Sequence, residues 1–534
     1  SGLFSDSAMI GATTNSFGNI VTVTGAGSFW TNAGALYVGN GGSGNMLTVS
    51  SGATMAVGGG TNGTVVGFSA GASNNSVLVT GSNTSLSITK ALFVGYGGSG
   101  NSLTISNGAS VTVACTGDGD YLSLGENGGS SNTLTVTGAS TLTVNAGAQS
   151  LYGIWIGDSN GSSNNRMVVS DGGKVYSTGE SGIGCVEQSG DTEALITGAG
   201  SLWTNNGVLA IGARDGGNGV VTVANGGTLA VTEIQIANLT NTSAGTLNIG
   251  SLGGSDTAGT VISPTIAFGL GTGAINFNQS DATTITSVIS GNGILSQLGA
   301  GTTTLSASNT YTGATTVAAG HLVVDGSIAS SLVSVQNGGT LGGSGAVGST
   351  TIESGGTISP GHSPGNLMVE GNLVWNGGGN YNWQVLGTTN TAGFAAGTTW
   401  DLLTVTGTLD LTALSVGSKF NLNLWSLATA DPDIDGDISA FNSSTSYEWL
   451  AVVASNITNF NASYFAVNTV ATNGTAGFAN ALDPAGSFSV RQDGGNLYVA
   501  YQVVPEPSTY ALLALATTGL GAHLLRRGKG AKVS

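Results

Sequence analysis

Charge is scarce in this sequence. Asp, Glu, Lys and Arg together make up 7% of 534 residues, too little to keep so long a chain solvated as a disordered polymer. Proline occupies 7 positions against 92 for glycine, which excludes a collagen-type helix, a fold that also needs glycine at every third place. Cations number ten, and four of them (Arg526, Arg527, Lys529, Lys532) fall in the last nine residues. Upstream of Pro505, six cations face 26 acids, a balance of about −20. Such a body cannot neutralise a run of phosphates, so nucleic acid is excluded as a partner, and anionic lipid is disfavoured for the same reason. Two cysteines, Cys115 and Cys185, are too distant for a metal-ligand motif and too few for a disulfide scaffold. They read as small buried apolar side chains, with a disulfide left open if they meet in an oxidising compartment. The three histidines, His321, His362 and His523, lie far apart and suggest no Ser-His-Asp arrangement. No methionine or charged apolar leader opens the chain, as expected of a processed signal peptide or a fragment.

What is abundant is glycine among Ser, Thr, Asn and Val, the composition of many short strands and tight turns. It is organised by repetition. An apolar-x-apolar-Gly motif recurs as Leu36–Gly39, Leu92–Gly95, Leu122–Gly125, Ile154–Gly157 and Leu209–Gly212, with weaker copies ending at Gly67, Gly184 and Ala237. Successive copies end 28, 28, 30, 32, 27, 28 and 25 residues apart. Between them, aligning the turns at Gly52, Gly108, Gly172 and Gly226 brings Leu47, Leu103, Met167 and Val221 into one column, and Met55, Val111, Val175 and Leu229 into another. These positions alternate with Thr, Ser or Ala, the period of two of a strand with one buried face. A unit therefore reads as three short strands, too small to bury its own apolar face, which is the logic of a solenoid. A β-propeller blade needs roughly 40–45 residues, more than the interval allows. The eight coils from Gly39 to Ala237 predict a rod segment of roughly 40 Å at about 4.8 Å per rung.

From about Thr240 the interval loosens. Gly299, Gly301, Thr302, Leu305, Asn309, Tyr311, Gly313, Thr315, Gly320, Leu322 and Val324 then fill a pattern that closely resembles the autotransporter-associated β-strand repeat, with Gln297 where that family carries a basic residue. The resemblance implies a right-handed parallel β-helix on a secreted protein. The segment Ser359-Pro360-Gly361-His362-Ser363-Pro364-Gly365 looks like one that commonly follows such repeats. Beyond Trp375 the interval is lost and five of the eight tryptophans gather within 375–449. The expected organisation is all-β: regular solenoid repeats over 1–240, a continued β-helix over 241–375, a β-rich domain over 376–503 capping the open end, and a tail over 504–534.

The tail holds Pro505-Glu506-Pro507, then Tyr510–Leu525 without formal charge, then Arg526-Arg527. As a helix the apolar run spans about 24 Å at 1.5 Å per residue, short of a hydrocarbon core of roughly 30 Å, with flanking arginines able to snorkel. The basic end is expected to stay cytoplasmic. Together these elements resemble the PEP-CTERM sorting signal of Gram-negative bacteria. That resemblance implies recognition of Pro505, Glu506 and Pro507 by an exosortase-type transpeptidase, Arg526 and Arg527 as stop-transfer cations, transient anchoring in the inner membrane, and export to the cell surface or matrix. An ordinary C-terminal anchor with a chance Pro-Glu-Pro remains the alternative.

Two acidic groups are candidate sites. Glu126 and Asp158 each follow the motif glycine on adjacent units, and stacking would bring them together on one corner, where like charges raise a pKa or recruit a cation such as Ca2+. Asp118 and Asp120 lie on the same unit as Glu126. The second group, Asp431, Asp433 and Asp435 with Gly436, matches the first half of an EF-hand loop, but its twelfth position is Asn442 rather than Glu. Solvated carboxylates and an ordinary acidic loop are the plain alternatives. Tyr37, Phe93 and Trp155 in the motif strand are expected to be exposed and to stack on sugars or pack against a neighbouring loop. No cofactor is required. The function expected is structural or adhesive at the surface or in an exopolysaccharide matrix, not enzymatic. The alternative is a polysaccharide-degrading β-helix enzyme, a lyase or a glycosidase with a carboxylate pair.

Overall fold

The structure is a computed structural model, and it describes residues 1–503 apart from 61–62, 148–150, 187–188, 214–215, 252, 389–394 and 430–433. The sorting motif Pro505-Glu506-Pro507, the 510–525 run, Arg526, Arg527, Asp431 and Asp433 lie outside the described residues. Among the described residues no helix is long and apolar enough to cross a membrane. The chain divides into two compact units at Thr357/Ile358, eighteen residues before the texture change at Trp375.

In the first unit the expected columns become parallel ladders. The motif strands pair as Leu36↔Thr64, Thr64↔Leu92, Leu92↔Leu122 and Leu122↔Ile154. A second ladder runs Leu47↔Val77↔Leu103↔Leu134↔Met167, inserting Val77 and Leu134 between the residues aligned from sequence. A third runs Trp30↔Met55↔Leu86↔Val111↔Leu142. Their inward side chains, among them Leu36, Leu47, Val111 and Leu134, have 0% exposure. The parallel β-solenoid is thus formed by alternation: each strand sends every second side chain into one continuous core, and stacked neighbours cover what a lone coil cannot.

A polar column stands inside this core. Asn45, Asn75, Asn101, Asn132 and Asn165 are fully buried, one per coil, two residues before the apolar start of the Leu47 ladder. Each amide nitrogen donates to the next asparagine's Oδ1, at 2.9, 3.1, 3.2 and 3.0 Å from Asn45 through Asn132. That same oxygen accepts the backbone N–H of the preceding column residue at 2.9–3.0 Å. The column satisfies its own buried polar groups, the condition for keeping them there. It also explains the motif glycine. A Cβ on Gly67 would lie 2.2 Å from the Asn101 side chain, and one on Gly95 2.1 Å from Asn132, while their φ values of 76° favour glycine independently.

The interval does not loosen after residue 290, as the sequence suggested; it tightens. Ladder partners Leu295↔Thr315, Thr315↔Val333 and Val333↔Thr350 are 20, 18 and 17 residues apart, and Thr303↔Leu322↔Leu341 are 19 apart. The residues of the resembled repeat hold this tight coil. Asn309 accepts Ile289 N–H at 2.9 Å and donates to Ala307 O at 2.9 Å. Tyr311, wholly buried, shares its hydroxyl with Thr315 Oγ1 at 2.6 Å, and burial pushes its phenol up to about 12. Gln297, also buried, donates to Gly299 and Gly301 carbonyls at 2.9 and 3.1 Å and accepts Thr303 Oγ1 at 2.6 Å. A charged side chain there would need its charge paired in the interior, which accounts for the neutral amide.

The second unit keeps parallel pairing without a fixed interval. Asn366–Val369 pairs with Leu402–Asp410, which pairs with Tyr447–Thr458, while Asn380–Val385, Phe420–Ser426 and Phe465–Asn468 form a second parallel set. Trp375 and Phe420 stack at 4.2 Å, and Trp383 meets Trp449 at 5.9 Å. The sense then reverses: Gly486–Asp493 and Asn496–Val503 form a hairpin whose second strand lies antiparallel on Tyr447–Thr458. That strand edge is covered by a local turn of chain rather than by another coil.

Candidate ligand-binding cleft

The residue after each motif glycine starts a loop, and stacking puts these residues in one outward column: Asn40, Phe68, Tyr96, Glu126, Asp158 and Cys185. Backbone hydrogen bonds hold its members in step. Phe68 N donates to Gly39 O at 2.9 Å, Glu126 N to Gly95 O at 2.9 Å, and Asp158 N to Gly125 O at 3.1 Å. Phe68 and Tyr96 lie face to face, centroids 5.2 Å apart and planes 10° off parallel. Beside them runs the outward residue of each motif strand. Tyr37 meets Phe68 edge-on at 5.5 Å, Phe93 meets Tyr96 at 5.4 Å and Tyr121 at 5.8 Å, and Tyr152 meets Trp155 at 5.5 Å.

The expectation that Tyr37, Phe93 and Trp155 are exposed holds only in part. Tyr37 and Trp155 are 7% and 1% exposed, each covered by the neighbouring aromatic of the loop column or its flank, whereas Phe93 is half-buried. Trp155 packs with Cys185, Ala210 and Ala213, against which Tyr121 and Tyr152 also lie. The solvent-facing aromatics are therefore Phe68, Phe93, Tyr96, Tyr121 and Tyr152, all half-buried.

Between these rings opens a cleft of about 380 Å³, with Phe68, Phe93, Tyr96 and Tyr121 contributing aromatic surface. Its acidic lining is Asp118, Asp120 and Glu126. A smaller cavity of about 90 Å³ adjoins Tyr121 on its other side and is lined by Tyr152, Trp155 and Asp158. The structure thus places the sequence-predicted Glu126 and Asp158 in neighbouring positions of one column, with Tyr121 touching both cavities. Tyr121 Oη donates to Glu126 Oε2 at 3.2 Å. Burial, then the nearby Asp158 charge, pushes the Glu126 carboxyl up to about 7. Burial and the same two carboxylates push the Tyr121 phenol above its ordinary range. Asp120 accepts the Gly117 N–H at 2.5 Å and faces Lys90 Nζ at 3.6 Å; among the described residues lining the two cavities none is cationic.

Among the described residues no three His, Cys, Asp or Glu side chains converge on a point that could hold a metal ion. A calcium ion takes six to eight oxygens, more than Glu126 and Asp158 offer between them. Of the second acidic group, Asp435 accepts a hydrogen bond from Trp425 Nε1. Cys115 and Cys185 are both free and buried, and burial, with Asp120 nearby, pushes the Cys115 thiol up to about 12.

Sequence reasoning missed Asp401 in the second unit. It is fully buried and accepts the N–H groups of Gly365 and Gln384, each at 2.8 Å. Burial raises its carboxyl well above the usual range despite those bonds. It anchors the end of the Ser359–Gly365 segment, whose Pro-Gly pairs marked a turn but not its partner 36 residues away. The asparagine column was also missed, although Asn at a fixed step before each apolar start was the available signal.

Comparison with known proteins places two of these features. Residues 295–324, the tight coil built on Asn309 and Tyr311, match the passenger-associated-transport-repeat family, so the chain carries an autotransporter-type repeat. Over 204 residues, 36% of this chain and 6% of the relative, it is 36% identical to the adhesin BmaC autotransporter of Brucella suis biovar 1. Over 97 residues, 18% of this chain and 9% of the relative, it is 42% identical to an extracellular serine protease of Serratia marcescens. The matched stretches span less than a tenth of either relative. Among solved structures, a TibA fragment hyper-glycosylated by TibC aligns over 80% of this chain and 98% of its own, at 14% identity and a TM-score of 0.21.

Proposed function

We propose that this chain is an exported bacterial surface or matrix protein with a structural and adhesive role, its solenoid wall presenting the aromatic-acidic cleft to a ligand outside the cell. The observation that carries this reading is the autotransporter-type repeat at 295–324 within a continuous parallel solenoid, and the likeness to an adhesin over 204 residues supports it. Export follows the tail: an exosortase-type transpeptidase recognises Pro505, Glu506 and Pro507, with Arg526 and Arg527 holding the segment in the inner membrane until processing. The test is expression of the full chain in its native host. Protease added outside intact cells should degrade it, loss of the gene product should reduce retention of cells in the matrix, and intact mass should show cleavage near Pro505. A protein shielded from external protease overturns the reading; a surface protein with an uncut tail overturns only the sorting mechanism.

A second reading, a glycan-cleaving enzyme, draws on one observation: Glu126 keeps its proton to about pH 7, the property of a general acid. Against it, no described lining residue is cationic, so nothing stabilises the anion that forms when a uronate is cleaved. Release of reducing ends from pectin or alginate, abolished by Glu126→Gln, would establish this reading in place of the first.

A further inference from the structure

Resting on the adhesive reading, we propose that the cleft recognises an amino sugar, a pyranose with a free protonated amine, within a linear glycan. Phe68, Phe93 and Tyr96 offer ring surface around a cavity of about 380 Å³, within the range of ligand clefts. Flat aromatic faces take the C–H face of a pyranose and, through their quadrupole, an adjacent ammonium. Asp118, Asp120 and Glu126 line the same cleft and supply acceptors for hydroxyls and countercharge for an amine. Lys90 is the nearest cation, and its ammonium faces Asp120 at 3.6 Å, so the remaining balance is negative. A uronate would bring like charge against Asp118 and Glu126, and an N-acetylated sugar would bring none. A linear chain is favoured over a compact ligand because the aromatic contacts continue coil by coil, from Tyr37 with Phe68 to Tyr121 with Tyr152.

The test is calorimetric titration of the full chain in mild detergent with a glucosamine hexamer, its fully N-acetylated counterpart, an oligouronate of equal length, and hexalysine. The glucosamine hexamer should bind. The N-acetylated form should bind at least tenfold more weakly, and the oligouronate should give no heat. Phe93→Ala and Asp118→Asn should each weaken binding at least tenfold. Asp118 is exposed, so its variant keeps the fold even if Phe93→Ala does not. Equal affinity for the N-acetylated hexamer, equal affinity for hexalysine, unaltered binding by Asp118→Asn, or no binding of glucosamine each overturns the proposal. Because the titration is made in solution, a negative result with surface exposure intact removes the amino-sugar assignment and leaves the adhesive reading standing.

Discussion

Removing one asparagine from the buried column should open the solenoid locally and steeply. Asn101 Oδ1 accepts both the backbone N–H of Asn75, at 2.9 Å, and its side-chain amide, at 3.1 Å, and Asn101 Nδ2 donates to Asn132 Oδ1 at 3.2 Å. In Asn101→Ala both Asn75 donors lose their acceptor while Asn75 remains fully buried. Asn132 Oδ1 still accepts the backbone N–H of residue 101, so the donor side of the loss is mild. Two orphaned buried donors at about 1–3 kcal/mol each give a cost of about 3–5 kcal/mol after partial relaxation. In a solenoid this cost falls on the coil and its neighbours rather than on the whole chain, so a single unfolding midpoint is a poor reporter. Hydrogen exchange read by mass spectrometry resolves it: amides of coils 67–95 and 95–125 should exchange about 10²–10³-fold faster, while those beyond Leu247 keep their rates. Ser87→Ala, an outward and exposed position in the same unit, should change nothing. A rise of less than about threefold near Asn101, or a uniform rise along the chain, would refute the account of the column as a self-satisfying polar spine.

Gly67→Ala should destabilise by at least about 2 kcal/mol, since it combines a left-handed backbone with an overpacked contact, the new Cβ lying 2.2 Å from Asn101 Nδ2. Gly71→Ala, with nothing within 4 Å, should leave thermal melts unchanged, and equal shifts for the two would count against the packing argument. The Glu126 carboxyl is raised to about 7 from 4.5, so the folded state holds its proton through a window in which the unfolded chain has released it. Stability should therefore fall as pH rises from about 4.5 to 7, by up to about 3 kcal/mol. Melts of Glu126→Gln should lack this slope, and a parallel pH profile for the two proteins would remove the assigned burial. Asp401→Ala orphans the N–H groups of Gly365 and Gln384 and should cost about 2–5 kcal/mol. Limited proteolysis should then cut within 359–365, while an unaltered digestion pattern would show that the carboxyl does not anchor that segment.

The ladders were legible because two periodicities coincide in the sequence, alternation within strands and glycine between them. Leu47, Leu103 and Met167 could be aligned by their turns alone, and the structure places them in one ladder. The Glu126–Asp158 column was legible for the same reason, since a fixed step from the motif glycine is a fixed corner of the coil. The asparagine column was present in the pattern but carried the wrong local meaning: Asn beside Gly and Ser is the usual mark of an exposed turn, and only alternation counted backward from Leu47 or Leu103 would have turned it inward. The shortening after residue 290 escaped because the apolar-x-apolar-Gly motif vanishes there, so the interval had no marker left to count. Asp401 had no signal of its own. Its partners lie 17 and 36 residues away, in a unit without a repeat, where no period relates one strand to the next.

The irregularity of the repeat is where the cleft comes from. If every coil had the same length, the outer wall would be a flat stack of short polar corners, like the run from Gly184 to Gly212. The two longest intervals, 30 residues to Gly125 and 32 to Gly157, are the coils that contribute Asp118, Asp120 and Tyr121 in one case and Tyr152 in the other. The inward ladders keep their register across both, with Leu103↔Leu134 and Leu134↔Met167 in step, so the added residues cannot enter the core and must be accommodated outside it. The asparagine column makes that possible, because it fixes each coil's corner by hydrogen bonds independent of the length of the loop between. Further along, the column gives way through Thr192 to Gly219, Gly245 and Gly273. There a Cβ on Gly219 would lie 2.1 Å from Ile183 O, and one on Gly273 2.4 Å from the Phe268 ring: the corner closes backbone to backbone, leaving no side chain to hold a longer loop in place. The coils then settle to 17–20 residues. In this chain a binding wall requires the polar spine behind it, and the loss of the spine accounts for both the shorter coils and the absence of a comparable aromatic-acidic loop column among the described residues after Asp158.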